Sequence, residues 1–144
     1  MIQAIYASTS GNVEYVMTQI AKIEPRVKLL RAEYIDSKSF DSDIFIFATS
    51  TWAHGEVNPI FVPALEQIVN RDMTGKKAFF IGLGDNRYEP VLFCEAINIT
   101  RRAFDASGGR SLGKTFRLNG DPYTQEDKVE DWVENMLQKE LINA

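Results

Sequence analysis

Three short segments carry residues whose types and spacing could hold a ligand. "STSGNV" at 8–13 sets three hydroxyls, a glycine and an asparagine where an apolar run gives way to a helical pattern. A helix beginning near Asn12 presents unpaired N–H groups and the positive end of its dipole. Ser8, Thr9 and Ser10 add hydroxyl donors, Gly11 lets the backbone curl close to a ligand, and Val13 completes the turn. Such a turn can cradle a phosphate with no Lys or Arg in the segment. It lacks the Gly-Lys-Ser/Thr ending of a P-loop, and it has no Cys or Arg for a phosphatase loop. A serine-capped helix in a polar turn is the plain alternative.

The other two segments are aromatic. "TSTWAHG" at 49–55 places Trp52 beside His54 and Gly55, and "GLGDNRY" at 82–88 carries Gly82, Gly84 and Asp85 before Tyr88. A large indole in a loop needs something flat to cover. Two aromatics on adjacent loops, next to a phosphate cradle, would sandwich a flat heteroaromatic ring bearing a phosphate tail. Each could instead be a packing residue. His54 reads equally as an exposed loop residue, and Cys94 as a small buried residue at a helix start.

The elements that must position these segments follow from hydrophobic periodicity. Strands are expected at 2–8, 27–35, 43–50 and 76–84, with a weaker one at 111–118. The runs at 43–50 and 76–84 are nearly continuous, as strands buried on both faces should be. Helices are expected after the first strand, ending at Pro25; at 60–69; from Pro90 to the paired glycines 108–109; and at 124–141, with Thr124 as cap. Strands alternating with helices imply an α/β fold, a parallel sheet with helices on both faces. Such sheets bind ligands at the carboxyl ends of strands near a switch point. The three odd segments are the loops after the first, third and fourth strands.

Composition narrows the classes. The chain has 144 residues, 44% hydrophobic and 25% charged, which suits one domain spanning 1–144. No apolar run approaches the about 20 residues that span a bilayer, and "MIQAIYAS" is unlike a secretory signal, so a cytoplasmic location is expected. One Cys and one His argue against a disulfide framework or a structural metal site. Net charge is −4, which disfavours nucleic acid. The stretch from Asp121 to Glu140, where seven acids face two lysines, carries −5, so the rest of the chain is near neutral; such a stretch suits a solvated helix face.

Taken together, the three segments resemble the flavodoxin family over essentially the whole chain. "STSGNV" is similar to the family's phosphate loop, "TSTW" (49–52) to the loop bearing the inner aromatic, and "GLGDNRY" followed by "FCEA" (93–96) to the loop whose Tyr stacks on the outer face. The chain has no room for the additional stretch that long-chain flavodoxins insert near the fifth strand, so it resembles the short-chain group. The resemblance implies a three-layer sandwich around a five-stranded parallel sheet of order 2-1-3-4-5. It implies non-covalent FMN, one-electron chemistry, and transient docking with a reductase as donor and an acceptor enzyme, by a protein that works as a monomer. Ser8, Thr9, Ser10, Gly11, Asn12 and Val13 would hold the phosphate, and Trp52 and Tyr88 would flank the ring. Thr49, Ser50, Thr51 and Ala53, with His54 and Gly55 following, and Leu83, Gly84 and Asp85 would line the isoalloxazine. Phe93 and Cys94 would approach its polar end. An FMN-dependent reductase of the same fold and a specialised flavodoxin-like activator are the alternatives.

Four features depart from the family pattern. Val13 stands where a Thr is usual, removing one hydroxyl donor. "EPVL" makes the segment between Tyr88 and Phe93 longer. His54 and Arg87 make these loops less acidic, which lowers repulsion of an anionic reduced flavin. Ala53 occupies a position usually Gly or Asn, where the resemblance implies a peptide that reorients on reduction. A Cβ makes left-handed backbone about 1–2 kcal/mol costlier than in Gly. Ala53→Gly is therefore expected to raise the yield of half-reduced flavin in a redox titration, and an unchanged yield would contradict this.

Overall fold

The apolar runs become adjacent strands because each can bury two faces only between layers of helix. The structure, a computed structural model, describes residues 1–52, 55–85 and 94–143. In chain order it contains β1 (Ile2–Tyr6), α1 (Asn12–Ile23), β2 (Val27–Arg31), β3 (Ile44–Ser50), α2 (Val62–Val69), β4 (Lys77–Gly84), α3 (Glu95–Ala106), β5 (Arg110–Ser111), β6 (Phe116–Asn119), α4 (Glu126–Trp132) and α5 (Gln138–Asn143). Val133–Leu137, between α4 and α5, is a π-helical segment. Every strand pairing is parallel, in the order β2-β1-β3-β4-β5, with β6 also on β4. This is the expected order 2-1-3-4-5 with its fifth position shared. β5 pairs with the start of β4 (Lys77, Ala78) and β6 with its end (Ile81–Gly84).

Side chains alternate between two cores, one on each face of the sheet. From β3, Ile46 and Ala48 join Val16, Met17 and Ile20 of α1 and Val129 and Trp132 of α4. Phe45 and Phe47 point the other way, into Phe61, Ile68, Phe80, Ile97 and Phe104 beneath α2 and α3. Period-2 alternation in a strand buried on both faces explains why the run at 43–50 looked uniformly apolar. Among the described residues, no helix is long and apolar enough to cross a membrane.

Several expected boundaries move, each for a local reason. The strand expected at 27–35 ends at Arg31, and Ala32–Tyr34 form a 3-10 turn that buries Ala32. The strand expected at 111–118 is broken by residues 112–115 into β5 and β6, where Gly113 takes φ +62°. The described part of α3 begins at Glu95, because Cys94 adopts φ +56° and so stands outside the helix; the expected opening at Pro90 lies outside the described residues. Thr124 is not the cap of α4: Gln125 is, and the Thr124 hydroxyl donates to the Asp121 carbonyl. A 3-10 turn at Pro122–Thr124 precedes α4, with the Asp121 carboxylate accepting from the Tyr123 N–H. Pro122 pre-sets that turn, and Asp121 is its capping acceptor.

The chain's first crossover is tied down by Glu24. Its carboxylate accepts from Arg26 Nη2 at 2.7 Å, Nε at 3.0 Å and the backbone N–H at 3.1 Å, and from Gln138 at 3.4 Å. These bonds, chiefly those from the Arg26 side chain, hold its pKa down to about 2. A depressed carboxylate stabilises the fold above its unfolded pKa, and that contribution disappears as pH falls through the folded value. Wild type is expected to exceed Glu24→Gln in stability by about 2 kcal/mol at pH 7, the gap closing between about pH 4.5 and 2 in denaturant titrations.

Candidate functional site

The turn from β1 into α1 is built around Gly11, the N-cap residue of α1, whose φ of +90° is left-handed. The Ser8 hydroxyl accepts from the Glu14 N–H at 3.1 Å, closing the loop over its own helix start. Among the described residues, none supplies an acceptor to the backbone N–H groups of Ser10, Gly11, Asn12 and Val13. Four donors at the positive end of a helix dipole thus have no partner among the described residues. The first segment itself holds no cation, but Arg31 from β2 donates to the Ser8 carbonyl at 3.0 Å.

Thr9, Ser10, Asn12 and Val13 line one wall of a cavity of about 550 Å³. Ser50 and Thr51 at the end of β3, and Leu83, Gly84 and Asp85 at the end of β4, line the facing walls. The three segments singled out in the sequence therefore contribute to one cavity at the carboxyl ends of the strands. Val13 is only 2% exposed and belongs to the core as well as to the cavity wall. Thr51 has a second duty: its hydroxyl accepts from the Ala96 N–H at 3.0 Å, capping α3, while its own N–H donates to the Leu83 carbonyl. Trp52 is 42% exposed, next to Thr51, with its backbone closed into a turn by bonds to Glu56 and Gly55.

Other expected site residues lie elsewhere. Thr49, Gly55 and Cys94 are buried and do not line the cavity. Burial pushes the Cys94 thiol up to about 12, so it stays protonated. It packs near Gly82, where an added Cβ would come within 2.5 Å of Ile97 Cγ2 and 3.1 Å of Cys94 Cβ. That close approach lets α3 rest on β4. Ala53, His54, Tyr88 and Phe93 lie outside the described residues, as does Arg87.

Besides Arg31, two features escaped the sequence reading. Asn58, fully buried, donates from Nδ2 to Thr9 Oγ1 at 2.9 Å and to Ser50 Oγ at 3.5 Å, and accepts from the Ile60 N–H. One side chain thus links the first loop, the end of β3 and the approach to α2. Its partners are remote in sequence, so no local pattern announced it. The loop after β6 supplies Gly120, Asp121 and Tyr123 to the cavity. Gly120 donates to the Gly84 carbonyl at 2.8 Å, and the half-exposed Tyr123 ring sits 4.3 Å from that of Tyr15. The signal here was the turn-forming "NGDPY" at the carboxyl end of a strand.

Fold and site together define a class: a doubly wound parallel sheet with a phosphate-type cradle and a roomy cleft at the switch between β1 and β3. The family model for flavodoxin matches residues 5–132. A flavodoxin from Maridesulfovibrio salexigens is 27% identical over 143 residues, covering 94% of this chain and 95% of that one. The structure of flavodoxin 2 from Bacillus cereus superposes with a TM-score of 0.85 at 27% identity, covering 96% and 98% of the two chains. A Fusobacterium nucleatum flavodoxin bound to flavin mononucleotide shares the fold at a TM-score of 0.80 and 19% identity, covering 96% and 97%. The chain belongs to the flavodoxin family, the FMN-based electron carriers, themselves a standard example of ligand binding at this switch point.

The burial of Val13 sharpens what its missing hydroxyl implies. Val13→Thr adds a donor on the cavity wall but puts a hydroxyl into a packed core. A hydrogen bond to a charged group contributes about 1.5–3 kcal/mol, so FMN is expected to bind at least about tenfold tighter. The ligand-free variant is expected to melt at a lower temperature than wild type. Titration calorimetry and thermal denaturation check the two together.

Proposed function

We propose that the cavity holds FMN with its phosphate on the Ser8–Val13 turn and its ring toward Trp52 and Tyr88. The observation that carries this reading is the set of backbone N–H groups at 10–13 without an acceptor among the described residues, at the positive end of α1. A dianionic phosphate ester matches such donors. The cavity volume of about 550 Å³ lies in the range of cofactor sites, and the exposed Trp52, itself not among the lining residues, directly follows the lining residue Thr51. The roles of Ala53, His54, Tyr88 and Phe93 rest on the family resemblance. That of Cys94 is reduced to supporting the start of α3.

In this arrangement the hydroxyls of Thr9, Ser10 and Ser50 and the amides of 10–13 bind and orient the phosphate end. Asn58 holds Thr9 and Ser50 in place. Trp52 shields a ring face from water. Bound FMN supplies the one-electron chemistry, while the protein supplies stacking and electrostatics. The reading extends to one domain over 1–144, a monomer in the cytoplasm, with a reductase and an acceptor enzyme docking transiently at the exposed flavin edge.

Loading the ligand-free protein with FMN and following absorbance separates the carrier from the reductase reading. One equivalent of FMN is expected to bind, and the loaded protein alone should not turn over NAD(P)H. Steady NAD(P)H oxidation by the pure protein would establish the reductase, and a protein that rejects FMN would overturn both.

A further inference from the structure

Beside the cradle lies a cluster that the proposed site does not use: Tyr6, Glu14 and Arg31. Glu14 is the third residue of α1, a position from which a glutamate ordinarily reaches back to the N-cap N–H. Doing so here would occupy the cradle's donors with a carboxylate and set a negative charge where a phosphate must sit. The structure shows the carboxylate tied elsewhere. Its Oε1 accepts from the Tyr6 hydroxyl at 2.8 Å and its Oε2 from Arg31 Nη1 at 2.8 Å. The other Arg31 terminal nitrogen donates to the Ser8 carbonyl at 3.0 Å and to Glu33 at 3.3 Å, so the same guanidinium grips the loop and the carboxylate. That guanidinium lies 5.8 Å from the Tyr6 ring centre.

Both partners suit a restraining role. Tyr6 is buried at the end of β1, and its hydroxyl donates to Glu14. Burial, reinforced by Glu14, pushes that hydroxyl up to about 12, which keeps it a donor. Arg31 is the last residue of β2, and the parallel pairing Tyr6↔Arg31 sets the two side by side. The planar fork of an arginine can serve a carboxylate and a carbonyl at once, which a lysine cannot do with fixed geometry.

We infer that Arg31 and Tyr6 are positioning residues for phosphate binding: they hold the Glu14 carboxylate off the N-terminus of α1 and leave the donors of the cradle to a phosphate ester. This rests on the reading that the cradle receives the FMN phosphate. Glu14 is then a latent competitor, restrained in the native arrangement. Its restraint favours a phosphorylated ligand over the same ring without phosphate.

The experiment titrates ligand-free protein with FMN and, separately, with riboflavin, following quenching of flavin fluorescence. Arg31→Gln is expected to raise the Kd for FMN about tenfold and to change that for riboflavin less than about twofold. Adding Glu14→Ala to Arg31→Gln is expected to return most of the lost FMN affinity, because the released competitor is gone. Tyr6→Phe, which keeps the ring in the core, is expected to shift the FMN-to-riboflavin ratio the same way by less. Far-ultraviolet circular dichroism confirms that each variant is folded. A parallel loss for both ligands, or a loss that Glu14→Ala does not restore, overturns the inference, since a merely structural role gives that result. Ser10→Ala separates the two levels. If it weakens FMN selectively while Arg31→Gln leaves the ratio unchanged, the positioning role falls and the cradle stands. If wild type itself binds FMN no more tightly than riboflavin, the cradle reading itself falls.

Discussion

The whole carboxyl edge of the sheet depends on the backbone N–H groups at the start of α1 for which the described chain supplies no acceptor. Every helix start leaves its first N–H groups without an intrahelical acceptor, and at this one Ser10, Asn12 and Val13 line a cavity, so a ligand can take the place of water. The surroundings maintain that state. Gly11 takes a left-handed φ that turns the chain into the helix, and Ser8 satisfies the Glu14 N–H, one step beyond the open row. Asn58 anchors Thr9 from across the cleft. Arg31 and Tyr6 occupy the Glu14 carboxylate, which stands at the start of the same helix.

The rest of the fold is a frame for that edge. Alternate residues of β1, β3 and β4 enter two separate cores, so the strands are clamped from both sides and their ends are held in register. Loops leaving such a frame can be polar and still be precisely placed, because their anchors do not move. Thr51 shows the economy of the arrangement: it lines the cavity while capping α3, so the second loop and the third helix are positioned by one hydroxyl. Gly82 serves the same end by omission, since any side chain there would push α3 away from β4.

Much of this was legible in the sequence, and the failures share a cause. The central strands announced themselves because burial on both faces makes a continuous apolar run. The hydroxyl-rich turn did so because helix starts and phosphate sites need the same residues. Edge elements were less legible. β2 stops at Arg31 and the fifth strand splits around residues 112–115, since edge strands are set by what packs over them rather than by their own pattern. Thr124 looked like a cap, yet Asp121 and Pro122 organise the turn before α4. Asn58, Arg31 and the 120–123 loop were missed because their partners are brought near only by the fold. Cys94 is buried just before α3, as its small side chain at a helix start implied, and does not line the cavity; only the family resemblance brought it toward the flavin.

The central claim is that backbone amides of the first turn, rather than a charged side chain, receive the phosphate. Amide proton and nitrogen shifts of residues 9–13, followed while FMN and then riboflavin are added to ligand-free protein, test it most directly. Acceptance of hydrogen bonds by a dianion should move the amides of Ser10, Gly11, Asn12 and Val13 strongly downfield with FMN and leave them nearly unmoved with riboflavin. Equal shifts with both ligands, or none with FMN, would contradict the claim.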